Sequence, residues 1–250
     1  MSIKKAVILA GGNGTRMLPI TSILPKELLP VGNIPIIDYI LQECIQSGIV
    51  EITTVINEKK GKLLEYIIGT LDDQIKKNVK FTFVPQRKEY GTAAALLSCL
   101  HCIRDEDFAV ILPDEVFITD VPPLKQLINC YEKTGDSIVG VFRANEKNFH
   151  QYGIIDYTGN KTMILRNVVE KPKENPPSYL ALCGRYIFNR KITDYLYDLS
   201  PNNEEYYLTD AIKKAIKIET IRAKLIHGKR YDCGSISGYK RLVANSLHRE

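Results

Sequence analysis

The sequence predicts an α/β fold, with a mostly parallel central sheet flanked by helices and antiparallel structure added in the C-terminal part. Three observations carry this. Short apolar runs bounded by turn residues alternate with longer segments of helical period as far as about residue 145. Hairpin signals are few in that region, as suits parallel strands joined by crossovers. Further on, Thr158-Gly159-Asn160 stands between two strand-like runs, which is a hairpin pattern.

"KKAVILA" (Lys4–Ala10) reads as a buried strand. In "IPIIDYILQECIQSG", residues Ile36, Ile37, Ile40, Leu41, Cys44 and Ile45 recur at helical spacing, and Gly48 suits a C-cap. "EITTVI" is the next strand, Lys59–Lys77 a helix, "KFTFV" a strand, Thr92–Ile103 a helix and "FAVILP" a strand. Pro122–Lys133 predicts another helix and "SIVGVF" another strand. After the hairpin, "LALCGRYIF" continues the strands, and helical segments follow at Lys191–Leu199, Leu208–Lys217 and Ile236–His248. No repeat, linker or boundary interrupts the chain. The expected unit is one Rossmann-like domain over 1–250, with halves at about 1–145 and about 146–250.

Composition is that of a soluble globular protein, and the net charge of +5 is modest. The lysines are dispersed apart from Lys59, Lys60 and Lys62, so nucleic acid is not an expected partner, whereas small polyanions suit the bias. No apolar stretch approaches a membrane span, and "MSIKKAVIL" runs straight into a strand without the shape of a signal peptide. Cys99 and Cys102 form a CxxC but lack a second pair at zinc spacing. A reduced, cytoplasmic protein without membrane attachment is expected.

The run "AVILAGGNGTRMLPITSILPK" raises the functional question. Gly12 and Gly14 fit half of a dinucleotide fingerprint, but position 17 is Met17, and Pro19, Pro25 and Pro30 forbid a helix close behind. No G-x-x-x-x-G-K-[ST] run exists either. What remains is a bare loop whose N–H groups can face phosphate oxygens, followed by Arg16 as a fork and Lys26 as a point charge. A structural turn beside two surface cations has the same pattern.

"LAGGNGTRMLPIT" followed by "LPKELLPVGNIPIIDY" resembles the signature of the sugar-1-phosphate nucleotidyltransferases. The resemblance continues through "VILPDE", "YG" at Tyr152-Gly153, "VVEKP", "CGRYIF", "YLTDAI" and "YDCGS", over essentially the whole chain. Their order is most similar to that of the bacterial UTP–glucose-1-phosphate uridylyltransferases. The resemblance implies a GT-A-like nucleotidyltransferase fold, with a nucleotide-binding first half and a sugar-binding second half. It implies Mg²⁺ as cofactor, an NTP and a sugar-1-phosphate as partners, and a homodimer or homotetramer.

The resemblance also implies roles for individual residues. Ala10, Gly11, Gly12, Gly14 and Thr15 would wrap the triphosphate, with Arg16 and Lys26 neutralising it. Gln86, Gly91 and Thr92 would receive the base, Gly91 letting it lie against backbone. Asp114, at the C-terminal end of an apolar strand, pairs with Asp232 as a metal ligand, while Glu115 would point elsewhere. Gly153, Glu170, Gly184 and Thr209 would hold the sugar, Asp210 shaping the wall beside it, and Lys171 would neutralise the incoming phosphate. Strand alternation lets Glu170 and Lys171 share a ligand only if the strand edge faces it. His101, His150, His227 and His248 have no expected role, since a phosphate dianion needs no general base.

The uridylyltransferase pattern "GLGHA" reads "YGTAA" here, and "GTA" is similar to thymidylyl-, cytidylyl- and guanylyl-type relatives. UTP with glucose-1-phosphate is the expected pair; dTTP or CTP is the alternative. A non-catalytic nucleotide-sugar-binding protein is a rival of another class. A metal-dependent glycosyltransferase is disfavoured by the lack of D-x-D at "PDEVF".

Overall fold

The computed structural model describes residues 2–69, 77–87, 90–103, 106–159, 163–201 and 205–246. Its first strand, β1 (Lys5–Leu9), is buried at every position. Val7 and Leu9 enter one apolar layer and Ala6 and Ile8 the other, so the strand carries a continuous hydrophobic run and not an alternating one. β5 (Lys80–Pro85), β4 (Glu51–Ile56), β1 and β6 (Phe108–Ile111) lie side by side in that order, all parallel. One face is covered by α1 (Ile36–Gln46), α2 (Gly61–Gly69) and α5 (Pro123–Thr134). The other is covered by α3 (Thr92–Ser98), α4 (Leu100–Ile103), α6 (Ile192–Tyr197) and α7 (Leu208–Ala215).

The two halves share one nine-stranded sheet. β11 (Leu180–Phe188) enters between β6 and β8 (Ser137–Arg143), antiparallel to both. Next come β12 (Ile221–Leu225), parallel to β8, and the antiparallel hairpin of β10 (Met163–Glu170) and β9 (Gly153–Thr158). An Ala181–Ile154 pairing draws β9 back against β11. Outside the large sheet, β7 (Glu115–Ile118) and β13 (Lys229–Asp232) form an antiparallel ribbon, followed by α8 (Ile236–Ser246). A shorter ribbon joins β2 (Pro30–Val31) to β3 (Ile34–Pro35).

Several expectations need correction. The helix expected at Lys59–Lys77 begins as a 3₁₀ turn at Glu58–Lys60, where the Asn57 side chain accepts the Lys59 N–H, and is described to Gly69 only. Residues 70–76 of that expectation lie outside the described residues, as do Asn160 of the hairpin turn and His248 at the end of the last helix. Thr92–Ile103 is two helices, because Cys99 leaves helical geometry at φ −115° and ψ 9°. β7, β12 and β13 escaped the sequence reading. Each is four or five residues long; charged residues break up β12 and β13, and β7 offers only three apolar residues after Glu115. Behind the glycine loop the chain makes three 3₁₀ turns, at Thr15–Met17, Ile20–Ser22 and Lys26–Leu28, and no α-helix, in keeping with the prolines there.

Candidate active site

From β1 the chain crosses to β4 and β5 and then returns to place β6 on β1's other side. Loops leaving β1 and β6 therefore diverge, opening a crevice at the carboxyl ends of the parallel strands. A cleft of about 530 Å³ lies there, reaching across to the β9–β10 hairpin. Gly11, Gly12, Thr15, Arg16, Lys26, Gln86, Gly91, Thr92 and Asp114 line it from the first half. Gly153, Glu170, Lys171, Gly184, Thr209 and Asp232 line it from the second. Ala10 and Gly14 are absent from the lining. Ala10 is buried in the core and donates its N–H to Val55 O at 2.9 Å. Gly14 shapes the loop: its φ is 68°, its carbonyl accepts the Thr21 hydroxyl at 2.7 Å, and a Cβ there would meet Thr21.

The loop after β1 is braced from the next strand. Asn57, just past β4, donates its side-chain amide to Gly11 O at 2.6 Å and to Asn13 Oδ1 at 3.0 Å. The Gln86 carboxamide fills the space a Cβ on Gly11 would need, only 1.7 Å from that point. On Gly12, by contrast, the missing Cβ faces open space with Lys26 Nζ 3.9 Å off. A bare backbone face beside an ammonium is a place for a phosphate oxygen.

Lys26 Nζ donates to Asp114 Oδ2 at 2.6 Å. Burial opposes both charges, yet each partner overcomes it, so the Lys26 pKa is raised and that of Asp114 lowered. Arg16 reaches Asp114 at 3.9 Å and Asp232 at 4.0 Å. A Cβ built on Gly234 would lie 2.7 Å from Asp114 Oδ2 and 3.1 Å from Asp232 Oδ1, so both carboxylates converge on one glycine-lined point. Cross-strand register explains the meeting. Asp232 ends β13 opposite Glu115, the first residue of β7, and Asp114 precedes Glu115. Glu115 turns away to grip Arg230 with both oxygens.

Asp114 is also bracketed from behind by a wholly buried cation. Arg185 forks onto both Glu43 oxygens at 2.9 Å and donates to Leu112 O at 2.9 Å and Glu115 O at 2.6 Å, the carbonyls on either side of the Asp114 loop. Gly184, at φ 67° in an irregular stretch of β11, receives Leu112 where a Cβ would clash at 2.8 Å. Glycine there serves the packing of Leu112.

On the opposite wall, Glu170 accepts the Thr209 hydroxyl at 2.9 Å, and burial raises its pKa against that bond. Gly153 lies against both groups, with Thr209 Cγ2 at 3.0 Å and Glu170 Oε2 at 3.2 Å from its ideal Cβ. Lys171 has φ 44°, which ends strand alternation and lets it face the cleft together with Glu170. Its ammonium stands 5.0 Å over the Tyr207 ring. Gly91 is needed for a different contact from the one expected. A Cβ there would lie 2.3 Å from Tyr206 O, in a strap where Tyr206 N donates to Tyr90 O and Ala93 N to Tyr206 O. Thr92 Oγ1 extends the strap by accepting Leu208 N–H at 3.0 Å.

Sequence reasoning passed over Asn57, Arg185 and Arg230, and quoted Tyr152 only within a dipeptide. Their signal was weak because each acts through contacts more than 40 residues away in sequence. His101, His150 and His227 lie outside the cleft lining. Cys99 and Cys102 are free, and among the described residues no group of three or more His, Cys, Asp or Glu side chains is placed to hold a metal.

Comparison with known proteins decides the family. The nucleotidyl transferase family model matches residues 5–248. The chain belongs to this family. A Staphylococcus saprophyticus protein named UTP–glucose-1-phosphate uridylyltransferase 2 is 38% identical over 99% of this chain and 95% of its own length. A Bacillus subtilis protein named UTP–glucose-1-phosphate uridylyltransferase is 36% identical over 95% of this chain and 88% of its own. A crystal structure of UDP-glucose pyrophosphorylase in complex with UDP-glucose superposes with a TM-score of 0.93 at 33% identity, over 99% of this chain and 100% of that one. This nucleotidyltransferase therefore has the α/β architecture of the UDP-glucose pyrophosphorylases. No helix among its described residues is long and apolar enough to cross a membrane.

Proposed function

We propose that this nucleotidyltransferase joins UTP to glucose-1-phosphate, forming UDP-glucose and releasing pyrophosphate. The observation that carries the reading is one cleft with two oppositely equipped ends. Arg16, Lys26 and the bare Gly12 face stand with Asp114 and Asp232 at one, and Glu170, Lys171 and Thr209 at the other. Relatives named for this reaction match over nearly the full chain.

Two polyanions must be held together while a sugar-phosphate oxygen attacks the α-phosphorus and pyrophosphate leaves. Catalysis then rests on position and charge, with little covalent work for the protein. Arg16 and Lys26 neutralise the triphosphate, the glycine loop turns its N–H groups toward it, and Gln86 meets the base. Glu170 accepts hydrogen bonds from sugar hydroxyls, and Lys171 offsets the negative charge of the attacking phosphate. The paired carboxylates of Asp114 and Asp232, converging beside Gly234, fit Mg²⁺, which takes few carboxylates and completes its shell with phosphate oxygens and water. Bound there, Mg²⁺ would draw charge from the phosphates during transfer. Such chemistry belongs in the cytoplasm, where nucleoside triphosphates are held.

A second reading, a dTTP- or CTP-specific enzyme, is favoured by one feature: Tyr90-Gly91-Thr92 where uridylyltransferases carry a His-containing pattern. Pyrophosphate release measured with glucose-1-phosphate and each of UTP, dTTP, CTP and GTP separates the two. UTP is expected to give the highest kcat/KM. Preference for dTTP or CTP would overturn the UTP assignment, and binding of UDP-glucose without turnover on any NTP would overturn catalysis.

A further inference from the structure

We propose that Arg230 and Tyr152 are positioning residues for the acidic pair: Arg230, clamped on Glu115, fixes the Tyr152 ring, whose hydroxyl sets the Asp232 carboxylate toward Asp114. The proposal rests on the reading of Asp114 and Asp232 as the divalent-cation ligands.

The β7–β13 ribbon fixes the backbones of both acids, and Cys233 N adds a bond to Asp114 O at 2.7 Å. A ribbon does not choose side-chain rotamers. Asp114 is aimed by Lys26. Besides the Arg16 guanidinium 4.0 Å from its Oδ2, Asp232 has two hydrogen-bond partners: its Oδ1 accepts the Gly234 N–H at 3.0 Å, and its Oδ2 accepts the Tyr152 hydroxyl at 3.2 Å. The Gly234 bond is local and leaves rotation about the carboxylate unopposed. Tyr152 comes from 80 residues away and is the second point that a plane needs.

Tyr152 is itself held. Its ring meets Phe142 edge-on, at 5.0 Å and 88°. The Arg230 guanidinium lies 3.7 Å over the Phe142 ring and 4.7 Å from that of Tyr152. An arginine wedged between two rings would swing if its charge were free, but Glu115 takes both ends of the fork. Arg230 also turns an N–H toward the Tyr152 oxygen at 3.5 Å. With that side facing a donor, the hydroxyl proton goes to Asp232. The main chain of the same tyrosine accepts the Lys171 N–H at 3.0 Å, which ties the acids to the sugar wall. Removing the hydroxyl alone leaves that bond in place.

The test uses the full chain, with Mn²⁺ as probe and a non-hydrolysable UTP analogue at saturation, and reads bound Mn²⁺ by electron paramagnetic resonance. Tyr152→Phe is expected to raise the Mn²⁺ dissociation constant by about tenfold and lower kcat by a similar factor, the range seen when a ligand's supporting partner is lost. KM for glucose-1-phosphate should stay unchanged, as should analogue binding without metal. Arg230→Lys, which keeps the charge but loses the fork, should act in the same direction. Should that variant fail to fold, Tyr152→Phe decides. Wild-type Mn²⁺ affinity and kcat in Tyr152→Phe would overturn the proposal, even if melting temperature fell, because the contact would then be structural only. A wild-type protein that takes up no Mn²⁺ beside the analogue would overturn the metal assignment itself, a distinct outcome.

Discussion

Single residues in this cleft hold conformations that only their neighbours explain. Lys171 sits at φ 44°, in a region uncommon for side-chain-bearing residues, directly after the last residue of β10. Had the strand continued, Glu170 and Lys171 would face opposite sides. Its end turns both toward the cleft. The lysine side chain is half exposed and only loosely engaged, 3.8 Å from Glu170. It therefore does little for stability, and on the proposed reading it is free to move onto an incoming phosphate. Lys171→Ala is expected to lower kcat by about 10²–10³, the usual cost of one preorganised charge-stabilising group. UTP affinity, read by calorimetry, should stay as in the wild type. Normal turnover in this variant would remove Lys171 from the reaction.

At the scale of elements, the Asp114 loop hangs between a strand and a ribbon, and Arg185 braces it alongside the ribbon. This side chain is 0% exposed and satisfies its guanidinium with Glu43 from α1 and carbonyls of the loop. A buried pair of this kind adds little net stability over an apolar replacement, but breaking it leaves an uncompensated charge inside. Arg185→Met would strand the Glu43 carboxylate, whose Oε1 also accepts the Leu124 N–H at 3.0 Å. A loss of about 3–5 kcal/mol in urea unfolding is expected. A loss below 1 kcal/mol would show that the loop is held by its own ribbon.

Across the whole molecule, the two walls of the cleft cannot be separated by cutting the chain. β11 belongs to the second half, yet it lies between β6 and β8 of the first and pairs with both. The strap of Tyr90–Ala93 against Tyr206 adds a second seam across the cleft. A fragment of residues 1–145 would expose the facing edges of β6 and β8, a ready template for association. It is expected to lack a cooperative melt by circular dichroism, whereas the full chain should melt in one transition. UDP-glucose at about 100 times its Kd should add about 2.7 kcal/mol to the full chain. Independent cooperative folding of the fragment would contradict this.

The sequence alone determined the strand–helix alternation, the bare loop after β1, the acid at the end of β6 and the hairpin beyond residue 145. All are written in residues close together in the chain: apolar period, glycine and proline placement, a charge at a strand's end. Tertiary structure decided the rest. That Asp114 and Asp232 share one point follows from the register of a ribbon whose strands are four residues each and carry no strong period of their own. That Gly91 and Gly184 are glycines follows from Tyr206 and Leu112 pressing against them, and neither neighbour is near in sequence. Arg185 and Arg230 look like any surface cation until burial and a carboxylate fork give them a role. Local patterning specifies elements, because backbone sterics and side-chain period act over a few residues. Convergence of charge depends on packing, and packing is settled only when distant strands meet.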